Sequence, residues 1–340
     1  MALVAEAPGY IQVFSDGSVK RFAPDIIAPS VNPTHGFMSK DVVIDSSKPI
    51  TGRVFVPENI SSKNAVPVLV YFHGGGFSIG STTWSGYHYF LGGLSVTCKC
   101  VILSVDYRLA PEYKLPIAYE DCYSSLAWLC NAVSHEPWLQ KADLSRVFLS
   151  GDSAGGNIAH HVAVKAIRDK ACPIRVKGIL PVHPYFGSEK RTKLEQETGD
   201  VGEVAMNDFF WGLSLPEGSN RDFYGCNFEN GDLSKDEWAR FPAVVVYVGG
   251  LDFLKERGVM YVEFLQKRIK GVKLVEAEED THVYHIFYPD SDASHLLQGL
   301  MNTKKQHKHK TNRGDYTTAL AVDSTNLKRH RLGLDIYDYQ

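Results

Sequence analysis

The 340-residue sequence has no apolar run approaching the roughly 20 residues that a helix needs to span a bilayer. Its opening, MALVAEAPGYIQVFSDGSVK, lacks a basic segment followed by a long apolar one, so no secretory signal is read there. Neither sign of charge dominates. Lys and Arg number 36 and Asp and Glu 39, a formal net of −3, which argues against global attraction to nucleic acid or to an anionic membrane. CxxC spacing is absent. The six cysteines (Cys98, Cys100, Cys122, Cys130, Cys172 and Cys226) read as reduced thiols rather than a disulfide framework. HExxH is absent too. The glycine-rich HGGGFSIG lacks both the Gly-Lys-Ser/Thr of a phosphate loop and the GxGxxG spacing of a dinucleotide site. No metal and no cofactor are therefore expected. The expectation is a cytoplasmic protein, a monomer or weak dimer, acting on a small molecule.

What is present is a rhythm of short apolar runs. They are PVLVYFHGGG (67–76), CVILSVDY (100–107), RVFLSGDS (146–153), KGILPVHPYF (177–186), PAVVVYVGG (242–250) and KLVEAEED (273–280). Most are continuously apolar rather than alternating, as strands buried on both faces of a mostly parallel sheet are. Helical patterns lie between them. From Tyr119 onward, Cys122, Tyr123, Leu126, Leu129 and Val133 recur at three- and four-residue steps, and 157–166 and 258–267 read the same way. Strands alternating with helices predict an α/β protein with a doubly wound sheet.

Two stretches break the rhythm. Residues 188–233 are polar and glycine-rich around a short apolar patch, DFFWGLSLP, and read as an insertion above the sheet. Residues 303–340 carry eight Lys and Arg against four Asp and Glu, a net of +4, which leaves −3 − 4 = −7 for the rest. That tail has no apolar period and reads as a disordered, solvated segment. Nucleic-acid binding or nuclear import is the weaker reading of its basic start, KKQHKHK.

The chemistry gathers at the strand ends. LSGDSAGGNIAHH runs from an apolar strand through Gly151, Ser153 and Gly155 into a helix. This is the pattern of a nucleophile elbow, where a serine sits on a sharp turn too crowded for side chains at its neighbours. Alone, such a turn is weak evidence. A serine nucleophile needs a base, an acid to orient the base, and donors for an oxyanion. Asp252 follows AVVVYVGG, and His282 follows KLVEAEED, in the chain order Ser, Asp, His. HGGG (73–76) ends another strand, where the N–H groups of Gly74 and Gly75, with that of Ala154, suit an oxyanion hole. Four elements in order, each at a strand end, point to a serine hydrolase. His160 and His161 are adjacent on a helix, point apart, and read as packing. Asp152 reads as making a local hydrogen bond within the turn.

YFHGGGFSIGS, SVDYRLAPE, LPIAYEDCYSSLAWL, SGDSAGGNIAHHVA, GGLDFLKERGVMY and HVYHIFYPDSDASHLLQ together resemble the plant carboxylesterases of the hormone-sensitive lipase group. The resemblance covers roughly residues 8–301. It implies an α/β-hydrolase fold over residues 1–302, with a cap from about 1–40 and from 188–233. It implies Ser153 as nucleophile, Asp252 as orienting acid and His282 as base, with His73, Gly74, Gly75 and Ala154 forming the oxyanion hole. His285 is the rival base and is assigned to packing. Phe77, Phe210 and Trp211 are the candidate substrate contacts. Phe209, Phe210 and Trp211 are consecutive, so they cannot all face one way. Arg108 and Glu112 are expected to form a buried pair behind the oxyanion loop. The activity implied is hydrolysis of small-molecule carboxylic esters. The alternatives are a catalytically silent receptor like those for gibberellin, disfavoured because His282 is present, and a lyase or dehydratase on the same scaffold.

Overall fold

A computed structural model describes residues 1–60, 65–231 and 233–302. The basic tail lies outside the described residues. The chain opens with β1 (Leu3–Ala7), β2 (Ile11–Phe14) and β3 (Val19–Arg21), which form a small antiparallel sheet. The antiparallel pair β4 (Phe37–Asp45) and β5 (Ile50–Pro57) follows. Six further strands correspond to the six apolar runs: β6 (Val66–Phe72), β7 (Val101–Asp106), β8 (Ala142–Asp152), β9 (Val176–Val182), β10 (Ala243–Gly249) and β11 (Val272–Ala277). They pair in parallel, and the eight-stranded sheet has the order β11-β10-β9-β8-β6-β7-β5-β4. Only the β4–β5–β7 edge is antiparallel.

Burial on both faces explains the continuous apolar runs. Along β6, Val68, Val70 and Phe72 enter one hydrophobic cluster, while Leu69 and Tyr71 enter the other. Successive side chains of a strand point to opposite faces, so both clusters need apolar residues. Each fully buried Val or Leu contributes roughly 1.5–3 kcal/mol. β11 departs from this expectation. It is the sheet edge and is only partly buried, with Leu274 37% exposed.

The helices are α1 (Ser85–Cys98), α2 (Ile117–Ala132), α3 (Ala154–Arg168), α4 (Lys193–Thr198), α5 (Gly202–Ser214), α6 (Lys235–Ala239), α7 (Lys255–Gln266), α8 (Tyr284–Phe287) and α9 (Asp292–Met301). The stripe read from Tyr119 is α2, whose Cys122, Leu126 and Leu129 are fully buried. None of the described helices is long and apolar enough to cross a membrane. Among the described residues, none of the six cysteines is in a disulfide.

Two segments lie outside the main sheet. The insertion 188–233 carries α4 and α5, and a buried ion pair ties it to α7. Arg257 donates to both Glu195 oxygens at 2.9 and 2.7 Å, and to Ser188 Oγ at 2.9 Å. The N-terminal sheet is pinned by Arg21, which donates to Glu112 (2.8 and 2.5 Å), Ala110 O (2.8 Å) and Ser78 O (2.6 Å). Residues from Phe37 onward belong to the main sheet rather than to a cap.

The Arg108–Glu112 pairing expected from sequence is not found. Arg108 donates through its backbone N–H, Nε and Nη2 to the fully buried Asp121, and Glu112 is taken by Arg21. A buried carboxylate such as Asp121 needs several donors. Arg108 satisfies that need, and Glu112, nearer the surface, binds the N-terminal segment instead.

Candidate active site

Ser153 occupies the turn between β8 and α3 with φ 51° and ψ −118°, a region that non-glycine residues rarely enter. The turn is held by its backbone. Ser153 N–H donates to Val182 O on β9, and Ser153 O accepts the N–H of Tyr185, both at 2.9 Å. Gly155 is required here, because a Cβ at that position would lie 1.9 Å from Phe72 O. The result is a serine at the carboxyl end of the central strand, at the N-terminus of α3, where free N–H groups and the helix dipole favour developing negative charge.

His282 Nε2 lies 3.1 Å from Ser153 Oγ, and His282 Nδ1 lies 2.9 Å from Asp252 Oδ2. The second Asp252 oxygen accepts Leu254 N–H at 2.8 Å, which fixes the carboxylate plane. Burial disfavours charge on His282, but Asp252, with Asp152 and Glu203 more distantly, outweighs it, and the ring's pKa is raised. Asp252 is held below its ordinary value: burial works against its charge, and His282 and the Leu254 N–H more than offset that. The structure thus joins the three residues singled out from sequence into one hydrogen-bonded chain.

His73 is buried directly before the Gly74–Gly76 loop. Its Nδ1 bonds Gly74 O at 2.8 Å, and its ring stacks on Tyr107 at 4.3 Å. Gly74 is a correction to the expected donor set. Its N–H donates to Tyr87 Oη at 2.8 Å, so it is already committed. Among the described residues no acceptor is found for the N–H of Gly75, Gly76 or Ala154. Gly75 (φ 99°) and Gly76 (φ 56°) adopt left-handed conformations that glycine alone enters readily. Asp152 also differs from expectation. Its carboxylate is not spent within the turn but accepts the hydroxyls of Tyr71 (2.9 Å) and Tyr87 (3.0 Å). Burial raises its pKa to about 6, against the two tyrosine donors.

The aromatic candidates separate. Phe210, on α5, packs directly over the Gly74–Gly76 loop, where a Cβ on Gly76 would meet its ring at 2.7 Å. Phe77 and Trp211 are corrections. They are 1% and 0% exposed and pack into the core with Tyr185, which stacks on Trp211 at 4.3 Å. A side chain with no exposed surface offers none to a substrate. His285 is likewise fully buried, against Phe90 at 4.6 Å. His160 bonds Tyr261 Oη at 2.9 Å, and His161 stacks on Tyr119. Sequence reasoning missed Tyr87, which sits within α1 beside no recognisable motif. It also missed His183, although that residue ends the β9 run just as Ser153 ends the β8 run.

A strained serine on a strand-to-helix turn, bonded to a histidine that is bonded to a buried aspartate, defines a serine hydrolase built on a mostly parallel sheet. Comparison with known proteins agrees. The family model for the alpha/beta hydrolase fold matches residues 69–286. "Probable carboxylesterase 6" of Arabidopsis thaliana is 40% identical over 66% of this chain and 69% of its own length. "Probable carboxylesterase 1" of the same plant is 36% identical over 87% of this chain and 95% of its own. Among solved structures, an esterase of Pyrobaculum calidifontis superposes with a TM-score of 0.67 at 26% identity, covering 79% of this chain and 84% of that one. The chain belongs to the α/β-hydrolase fold family, in its plant carboxylesterase group.

Proposed function

We propose that this carboxylic ester hydrolase cleaves small-molecule esters through an acyl-enzyme on Ser153. His282 takes the Ser153 hydroxyl proton as Oγ attacks the ester carbonyl, and Asp252 stabilises the imidazolium that forms. The N–H groups of Gly75, Gly76 and Ala154 receive the oxyanion. His282 then returns the proton to the leaving alcohol and activates water to release the acid. The observation that carries this reading is the unbroken Ser153–His282–Asp252 chain, at 3.1 and 2.9 Å. It also weighs against a silent receptor, for which such a chain has no use. We further propose that α5 and the N-terminal sheet cover the site, with Phe210 as the aromatic that meets the acyl group.

The test is hydrolysis of p-nitrophenyl acetate, with labelling by a fluorophosphonate that reacts only with an activated serine. Wild-type protein should do both and Ser153→Ala neither. Equal hydrolysis by the serine variant would refute the assignment.

A further inference from the structure

His183 follows β9 directly and is 3% exposed. Its backbone N–H donates to Tyr247 O at 2.8 Å, which ties it to β10. Its ring does not reach Ser153. Instead, Nδ1 lies 2.9 Å from the backbone nitrogen of Val283 and accepts its N–H. Val283 is the residue after His282. It adopts φ 46° and ψ 31°, a left-handed conformation that a β-branched side chain strongly disfavours. His183 itself has φ 47°. Two backbone positions that would each relax elsewhere therefore face one another across a hydrogen bond, and the catalytic base is attached to one of them. His183 Nδ1 also stands 3.8 Å from Asp252 Oδ2, and the two imidazoles are 5.9 Å apart between centroids.

We propose that His183 is a positioning residue for the base: by accepting the Val283 N–H through Nδ1, it locks the left-handed turn after His282 and holds that imidazole between Asp252 and Ser153. The chemistry of the ring suits the task. Burial lowers its pKa to about 4, Asp252 opposing and His282 reinforcing the shift, so the ring is neutral at neutral pH. A neutral ring with Nδ1 as acceptor carries its proton on Nε2. A protonated ring would have no acceptor left for Val283 and would add positive charge beside the base. The ligand-bearing atoms of His183, Asp252 and His282 lie within 4.8 Å of one another, which raises a metal reading. His183 Nδ1 and His282 Nδ1 are each already engaged, with Val283 N–H and with Asp252, and a cation there would have to break both bonds.

The role rests on the esterase reading for its kinetic readout only. The experiment compares His183→Ala, His183→Gln and His183→Asn. Asn places Oδ1 where Nδ1 stood and tolerates a left-handed backbone. Gln projects its carbonyl too far to replace Nδ1. Two quantities are measured: steady-state hydrolysis of p-nitrophenyl acetate, and the downfield proton NMR signal of His282 Nδ1–H. Ala and Gln should lower kcat about 10–100-fold, the scale of a misplaced catalytic group, with KM nearly unchanged. They should also broaden the downfield signal, and Asn should restore both. If Ala fails to fold, the Asn–Gln comparison decides alone. Unchanged kcat and signal in Gln, or Asn as impaired as Gln, would overturn the proposal. A wild-type protein without esterase activity would overturn the esterase reading instead, and the NMR pattern would still decide the role of His183.

Discussion

The hydroxyl of Tyr87 accepts the N–H of Gly74 at 2.8 Å and donates to the Asp152 carboxylate at 3.0 Å. Its direction is forced, because the Gly74 N–H can only donate and an ionised carboxylate can only accept. One side chain on α1 therefore joins the Gly74–Gly76 loop to the residue preceding Ser153. Gly74 leaves no room for anything else: a Cβ there would lie 2.3 Å from Asp152 Oδ2.

Replacing Tyr87 by Phe should consequently act on the chemical step. The Gly74 N–H loses its acceptor and Asp152 keeps a single tyrosine donor. Freed from Tyr87, the loop can swing Gly75 and Gly76 away from the position proposed for the oxyanion. Displacing one such donor typically costs 10²–10³-fold in kcat, and a partial displacement should cost about 10–100-fold. The buried N–H left unpaired should cost about 1–3 kcal/mol of stability. Kinetics and thermal unfolding of Tyr87→Phe check both, and a variant with wild-type kcat would remove Tyr87 from the account.

Activity should also fall in acid, with a midpoint set by His282. Only the neutral ring can take the Ser153 proton. Burial alone would lower its pKa, but Asp252 outweighs burial and raises it above the ordinary 6.5, with Glu203 adding to the rise. The loss of kcat/KM should therefore be centred above pH 6.5, with full activity on the alkaline side. Glu203→Gln removes a negative charge that favours the imidazolium, so its midpoint should move to lower pH while the alkaline plateau stays unchanged. A pH–rate profile of the two proteins decides this, and an upward move or no move would contradict the assigned influence of Glu203.

The residues legible in the sequence share one property: each stands next to a strand end in an order that the fold dictates. Ser153, Asp252 and His282 could be found because an apolar run points at each of them. Pairings between elements could not be found that way. Arg108 is expected to pair with Glu112, yet its partner Asp121 is 13 residues away, and Arg21, which takes Glu112, is 91 residues from it. Likewise, no local pattern tells that Tyr71 reaches Asp152 across 81 residues. The substrate contact expected of Phe77 and Trp211 fails for a related reason. Aromatics near a site are as readily its foundation as its lining, and only burial distinguishes them.

His285 supplies the remaining prediction, because it is both a rival base and an anomaly. Its ring is fully buried, and among the described residues neither nitrogen has a hydrogen-bond partner. Burial drives its pKa well below 6.5, with the nearby His183 and His282 reinforcing the shift, so the ring is neutral. A neutral imidazole still carries one N–H and one lone pair, and leaving buried polar groups unpaired costs about 1–3 kcal/mol each. Leu is of similar bulk and has nothing to satisfy. His285→Leu should therefore lose some of the contact with Phe90 but gain more from the polar groups removed, a net stabilisation of about 1 kcal/mol. Esterase activity should stay within about twofold, because His285 contacts neither Ser153 nor Asp252 and is asked for no transition-state stabilisation. Thermal unfolding with steady-state kinetics separates the possibilities. A more stable, active variant confirms a packing role, whereas a well-folded variant that has lost activity would transfer the base assignment away from His282 alone.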